Sequence, residues 1–299
     1  MYFRRLFLCI TAFCIHFGNI QTDSVQSSAS LTKDGTPKKI LVVLTSTDTI
    51  GDTGLRTGWF LQELAHPYKA FRDAGFEMES VSPKGDKAPV DPLSVELCEQ
   101  DSVCQWFQKD ADAQYLVQNT KTASQINPGD YAAVFYPGGH GPMFDLATDS
   151  NIAKITLQIF EDGGVVGAHA FSPEPLAWST PRTPIKRHCH NTLLHVFRFM
   201  FGFELYKILL QGLIPVRLSN GDPIVKGRKV TSFSNAEENA IKRSSVVPFS
   251  LEMKLKQSGA IYSAAESFQS HVVVDGRLVT GQNPSSARGV AGSMIRLLR

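Results

Sequence analysis

Cysteine is scarce in this sequence: five in 299 residues, two of them within the first 14 positions. That excludes a small scaffold stapled by disulfides. An excess of one charge is also missing. Lysine and arginine number 30 against 28 aspartates and glutamates, and setting aside Arg4 and Arg5 leaves 28 against 28. Such neutrality argues against a polybasic nucleic-acid binder and suits a small, uncharged or weakly charged ligand. A bilayer-length apolar run is missing too: Leu6–Phe17 holds only twelve residues. There is no dinucleotide-binding glycine fingerprint, no P-loop and no internal repeat. What is present is a globular composition, 42% hydrophobic and 19% charged, long enough for one large core.

The N-terminus reads as a targeting segment. Arg4-Arg5 precedes the apolar run, the pattern of a signal peptide over residues 1–18. A Ser/Thr/Gln-rich stretch over 19–38 then reads as a flexible linker. This implies the secretory pathway for the mature chain, without a membrane span; a mitochondrial presequence, an uncleaved anchor and a cytoplasmic location are the alternatives. Cys98 and Cys104 share one loop region and are compatible with a disulfide or with a reduced pair.

From Lys39 onward, strand and helix patterns alternate. Lys39–Thr45 is a continuous β-branched run, as in a strand buried on both faces. Gly58–Ala74 has helical spacing, with Pro67 expected to interrupt it. Phe76–Ser82, Tyr131–Tyr136, Val165–Ala168, Lys229–Phe233, His271–Val274 and Leu278–Thr280 read as strands. Ile152–Phe160, Asn235–Arg243 and Leu251–Gln257 read as helices. The alternation predicts a doubly wound α/β sheet, with ligands beyond the C-terminal strand ends. Thr45–Glu63, Pro137–Gly141, the stretch after Ala168 and Thr231–Glu238 fall at such ends.

These segments resemble the ThiJ/PfpI superfamily. The likeness is carried by Thr57-Gly58-Trp59 with Glu63-Leu64 and Pro67, Ser82-Pro83-Lys84-Gly85 with Asp91-Pro92, and Pro137-Gly138-Gly139-His140-Gly141 with Asp145. Thr231–Asn235 with Glu237-Glu238, Val247-Pro248-Phe249, and Thr280–Pro284 continue it in order. The branch resembled is the heat-shock-protein-31-like glyoxalase III group of the class I glutamine-amidotransferase-like proteins. The resemblance implies a flavodoxin-like, three-layer sandwich over residues 39–299 and a homodimer. It also implies cofactor-free conversion of a small dicarbonyl such as methylglyoxal to lactate, a hydro-lyase reaction of the D-lactate dehydratase type. Deglycase, stress-protection and chaperone roles come with it, the last with unfolded proteins as partners.

By that resemblance, Glu63 is a protonated carboxyl that hydrogen-bonds a nucleophilic thiolate; alone it would read as an exposed helix carboxylate. The Gly138 and Gly139 amides form an oxyanion hole, and His140 lines the pocket. Glu237 or Glu238, with Glu237 the choice, orients a histidine as the third member of a triad; the alternative is a carboxylate that favours a helix N-terminus. His66 either lines the pocket mouth or lies on the surface. No cofactor and no metal are expected.

The departure is equally specific. The family carries Cys-His-Gly-Pro directly after the fourth strand, where this chain has Ala170 at the cysteine position and Phe171 at the histidine position. Family-like text resumes at Gly212 or Leu213. The block 170–211 is therefore foreign to the pattern. Three accounts stand: a translated intron or misjoined exon, a genuine insertion in a catalytically dead relative acting as a holdase, or a displaced nucleophile and base in Cys189-His190. Four prolines separate that dipeptide from the strand, which argues against an elbow there. Consecutive ligands argue against a zinc site at His188, Cys189, His190 and His195.

Overall fold

The computed structural model describes residues 39–169, 212–213 and 215–299. The expected leader (1–18), linker (19–38) and atypical block (170–211), with Ala170, Phe171, Cys189 and His190, lie outside the described residues.

The chain opens with β1 (Lys39–Val43), α1 (Leu61–Asp73) and β2 (Met78–Val81). Three short helices follow: α2 (Pro92–Leu97), α3 (Ser102–Lys109) and α4 (Ala111–Gln118). Then come β3 (Tyr131–Tyr136), α5 (Ser150–Glu161) and β4 (Val165–His169). The remainder is β5 (Lys229–Val230), α6 (Asn235–Ala240), α7 (Leu251–Gln257), β6 (Ile261–Tyr262), β7 (Val272–Asp275), β8 (Leu278–Gly281) and α8 (Ala287–Leu298). The main sheet runs β2-β1-β3-β4-β8-β7, parallel except for the edge hairpin of β7 with β8. A second pair joins β5 and β6.

This is the expected doubly wound α/β sandwich, and side-chain alternation builds its layers. On β1, Leu41 and Val43 face α5 with Val134, Tyr136, Ile152 and Ile159. Ile40, Val42 and Leu44 face the opposite layer with Leu64, Phe71, Phe135, Val290 and Met294. Successive strand residues point to opposite faces, so two-sided burial demands the unbroken apolar runs seen in the sequence. Aspartates start the helices: Asp101, Asp110 and Asp149 accept backbone N–H bonds at the N-termini of α3, α4 and α5. The chain reverses direction across the sheet between β1 and β3, and ligand crevices form at such a switch point.

One expectation needs correction, and one element lay beyond the sequence reading. Helix α1 runs through Pro67 without a break, because Leu64, Ala65, Tyr68 and Phe71 on either side are buried in the core. That packing outweighs the one backbone bond the proline forfeits. The C-terminal helix α8 was not anticipated, because Gly289 and Gly292 mask its Val290, Met294 and Leu298 stripe. Among the described residues, no helix is long and apolar enough to cross a membrane.

Candidate active site

Backbone interlocking sets the site. A Cβ on Gly58 would lie 2.1 Å from the Pro89 carbonyl oxygen, and one on Gly139, at φ +125°, would lie 2.2 Å from the Gly58 carbonyl oxygen. Only glycine permits these approaches. They allow the Trp59 amide to bond to Pro89 O and the Phe60 amide to bond to Gly138 O, both at 2.9 Å. The Thr-Gly-Trp and Pro-Gly-Gly motifs are thus two halves of one joint, which delivers the first turn of α1 to the C-terminal end of β3.

Glu63 is the side chain so delivered. It has no exposed surface, and its Oε2 accepts the Gly138 N–H at 2.8 Å. Its Oε1 is buried without a partner. Burial raises its pKa to about 8, against the opposing effect of the Gly138 bond. The carboxyl is therefore mostly neutral at pH 7. Because Oε2 accepts an N–H, the proton belongs on Oε1, leaving a buried hydroxyl donor with no partner among the described residues.

The same geometry corrects the expected role of Gly138. Its amide is spent on Glu63 and does not point at an oxyanion. Gly138 anchors the Glu63 carboxyl, and Gly139 packs closely on Gly58.

The two adjacent glutamates of α6 separate cleanly. Glu237 is the third residue of a capping box. Its Oε2 accepts from the Ser234 amide (2.9 Å), the Ser234 hydroxyl (2.8 Å) and Gln282 Nε2 (3.0 Å). Its Oε1 accepts from the Phe268 amide (2.8 Å) and Asn283 Nδ2 (2.9 Å). Five donors leave it no capacity for a histidine, and the helix-terminus alternative describes it better. Glu238 instead faces the site: its Oε1 lies 3.6 Å from His140 Nε2, and its Oε2 is buried without a partner. His140 is itself buried. His66 is buried too, not on the surface: Nε2 meets Asp101 Oδ2 and Nδ1 accepts from Arg288 Nε, each at 2.8 Å.

One residue that the sequence did not single out is His169, the last of β4. It is buried against Phe135, and burial lowers its pKa to about 3, against the opposing effect of the nearby Ala287 and Asn283 backbone. It is thus a neutral imidazole. Thr231 Oγ1, at the end of β5, is buried without a partner among the described residues. The signal available was position: His169 is the polar end of an apolar strand. Beside α1, Phe60, Gln62, Leu97, Phe268 and Pro284 line a cavity of about 160 Å³.

No family model matches the chain. It is 30% identical over 275 residues to the probable glutathione-independent glyoxalase hsp3103 of Schizosaccharomyces pombe, covering 82% of this chain and 92% of that protein. The chain belongs to the HSP31-type glyoxalase III family. It is also 28% identical over 270 residues to the glutathione-independent glyoxalase HSP31 of Saccharomyces cerevisiae, covering 88% and 99% of the two chains. Among solved structures, the 24 kDa rapid encystment protein of Francisella tularensis superposes with a TM-score of 0.70 at 32% identity, over 88% of this chain and 99% of that one. The crystal structure of glyoxalase III from Candida albicans gives 0.67 at 25% identity, over 88% and 98%.

Against that HSP31-type frame, the described site holds an acid, a glycine joint and a histidine–glutamate contact, but no thiol. The described cysteines are Cys98 and Cys104, which meet at the α2–α3 corner.

Proposed function

We propose that this chain is built on a glutathione-independent glyoxalase scaffold, and that the sequence as it stands lacks the nucleophile the scaffold serves. The observation that carries this reading is Glu63: fully buried, neutral near pH 7, anchored through one oxygen, with the other buried and without a hydrogen-bond partner among the described residues. An unsatisfied buried acid is costly unless a partner completes it. A thiolate at the end of β4, where the family pattern has cysteine and this chain has Ala170, is the partner that fits.

With that thiolate present, the chemistry runs on protein groups alone. The sulfur adds to the aldehyde carbon of methylglyoxal to give a hemithioacetal. The Oε1 hydroxyl of Glu63 holds the thiolate before attack. A base then moves the proton from the former aldehyde carbon to its neighbour, and water releases lactate. Glu238 with His140 is the described pair able to assist that transfer; Glu237 is not. Losing the covalent nucleophile removes the route entirely.

The test is a rebuilt chain in which Cys-His-Gly-Pro replaces the block 170–211. It should form lactate from methylglyoxal without added glutathione or metal, and Glu63→Gln in that chain should cut kcat by at least a hundredfold. A rebuilt, folded chain that needs glutathione, or that ignores the loss of Glu63, would refute the reading.

A further inference from the structure

At the α2–α3 corner, Cys98 ends α2 and Cys104 lies in the first turn of α3. Their sulfurs are 2.7 Å apart, within about 0.7 Å of a covalent S–S bond. Both residues are buried, Cys98 at 2% exposure and Cys104 at 0%. The approach is held from outside the pair. Asp101, between them, accepts the Val103 and Cys104 amides through Oδ1 and meets His66 through Oδ2. Arg288 of α8 fixes His66 from its other side.

The His66, Asp101 and Cys104 ligand atoms lie within 4.8 Å of one another, a spacing that also suits a metal ion. The hydrogen bonds argue against one. Arg288 Nε–H donates to His66 Nδ1, so neutral His66 carries its proton on Nε2 and donates it to Asp101. No imidazole lone pair remains for a cation.

We infer that Cys98 and Cys104 are a redox-active dithiol that closes to an intrachain disulfide by exchange with a small disulfide of the glutathione class. Cys104 donates its S–H to Cys98, so Cys98 is the sulfur on which negative charge is supported. That bond and burial push the Cys104 thiol up. The Cys98 thiolate attacks one sulfur of the small disulfide and expels a thiolate. Cys104 then attacks the Cys98 sulfur of the mixed disulfide and expels the second. The two cysteines lose two electrons and two protons; the small disulfide gains them and leaves as two thiols. The site stands on the α2–α3 geometry and is independent of the glyoxalase reading.

Trypsin settles the matter without a variant, because Ala88–Lys109 is a single peptide holding both cysteines. The full chain is incubated with oxidised glutathione, unfolded in the presence of iodoacetamide and digested. The peptide should be unalkylated and lighter by two hydrogens, and the oxidised protein should melt about 5 °C higher. In Cys104→Ser the reaction should stop with one glutathione on Cys98. Two alkyl groups on the wild-type peptide, a wild-type product arrested as the mixed disulfide, or stoichiometric zinc binding that Cys104→Ser abolishes would each overturn the inference.

Discussion

Two regions of this molecule each bury a glutamate completely: the first turn of α1 holds Glu63, and the first turn of α6 holds Glu237. At α6, five donors surround the carboxylate and tie β8's exit, the Phe268 loop and the helix start to one group. At α1, one amide holds one oxygen, and the other oxygen has no hydrogen-bond partner among the described residues. Burial alone therefore does not mark a reactive acid. The difference lies in how many lone pairs the fold has already used, because a fully satisfied carboxylate is structural cement and a half-satisfied one is poised for something not yet bound.

Breaking the α6 side should have the largest effect. Glu237→Ala strands two backbone amides and two side-chain amides in the interior, and should cost roughly 3–5 kcal/mol in urea unfolding. A loss under 1 kcal/mol would show that those donors find other partners and that the contrast is false.

The α1 side should respond in the opposite direction. The folded state keeps a Glu63 proton that the unfolded chain releases above about 4.5, so stability should fall as pH rises from 4.5 to about 8. Glu63→Gln keeps the Gly138 bond without that penalty. It should stabilise the protein at pH 8 by about 1–3 kcal/mol, with little gain at pH 4, while abolishing turnover in the rebuilt chain. A pH-independent effect would mean that Glu63 is already ionised.

Glu238 sharpens the comparison within a single helix. Glu238→Gln should change unfolding by about 1 kcal/mol or less, since its Oε2 has no bond to lose, yet lower kcat of the rebuilt chain at least tenfold. The reverse ranking, with Glu237→Gln folded but inactive and Glu238→Gln unaffected, would restore the sequence-based choice. The unaltered chain bears on the holdase alternative: aggregation suppression that survives Glu63→Gln would separate client binding from catalysis.

The smallest effect belongs to a surface carboxylate with its partners in place. Burial would raise Glu79, but bonds from Lys121, Lys39 and Tyr131 outweigh it and bring the pKa to about 2. A lowered carboxylate contributes above its unfolded value of 4.5, and that contribution disappears as pH falls toward 2. Screening at this partly exposed site reduces it to about 1 kcal/mol, so Glu79→Gln should lower stability slightly at pH 7 and not at pH 2.

Much of this fold was legible because the interior imposes simple periods. Strand β3 and helix α7 begin and end where the sequence pattern places them, Tyr131–Tyr136 and Leu251–Gln257. Helix α8 escaped because two glycines interrupt its composition without interrupting its buried stripe. Pro67 misled because local propensity yields to core packing. In the site, motif text singled out Glu63 and the glycines, which the fold brings together, but assigned the Gly138 amide to an oxyanion; which group it bonds depends on a joint between segments 75 residues apart. The text favoured Glu237 over Glu238, whereas Glu238 is the one beside His140. Neighbours on a helix point about 100° apart, and only the capping box decides which one faces inward to Ser234 and which faces His140.

The central claim is that an intact acid half of a glyoxalase site awaits a nucleophile that this sequence lacks. Glutathione-free lactate formation from methylglyoxal by the unaltered full-length chain tests it most directly. The account predicts no turnover above a heat-denatured control, with or without Cys189→Ser. Turnover by the unaltered chain that disappears on Cys189→Ser would contradict it, placing the nucleophile within the block 170–211.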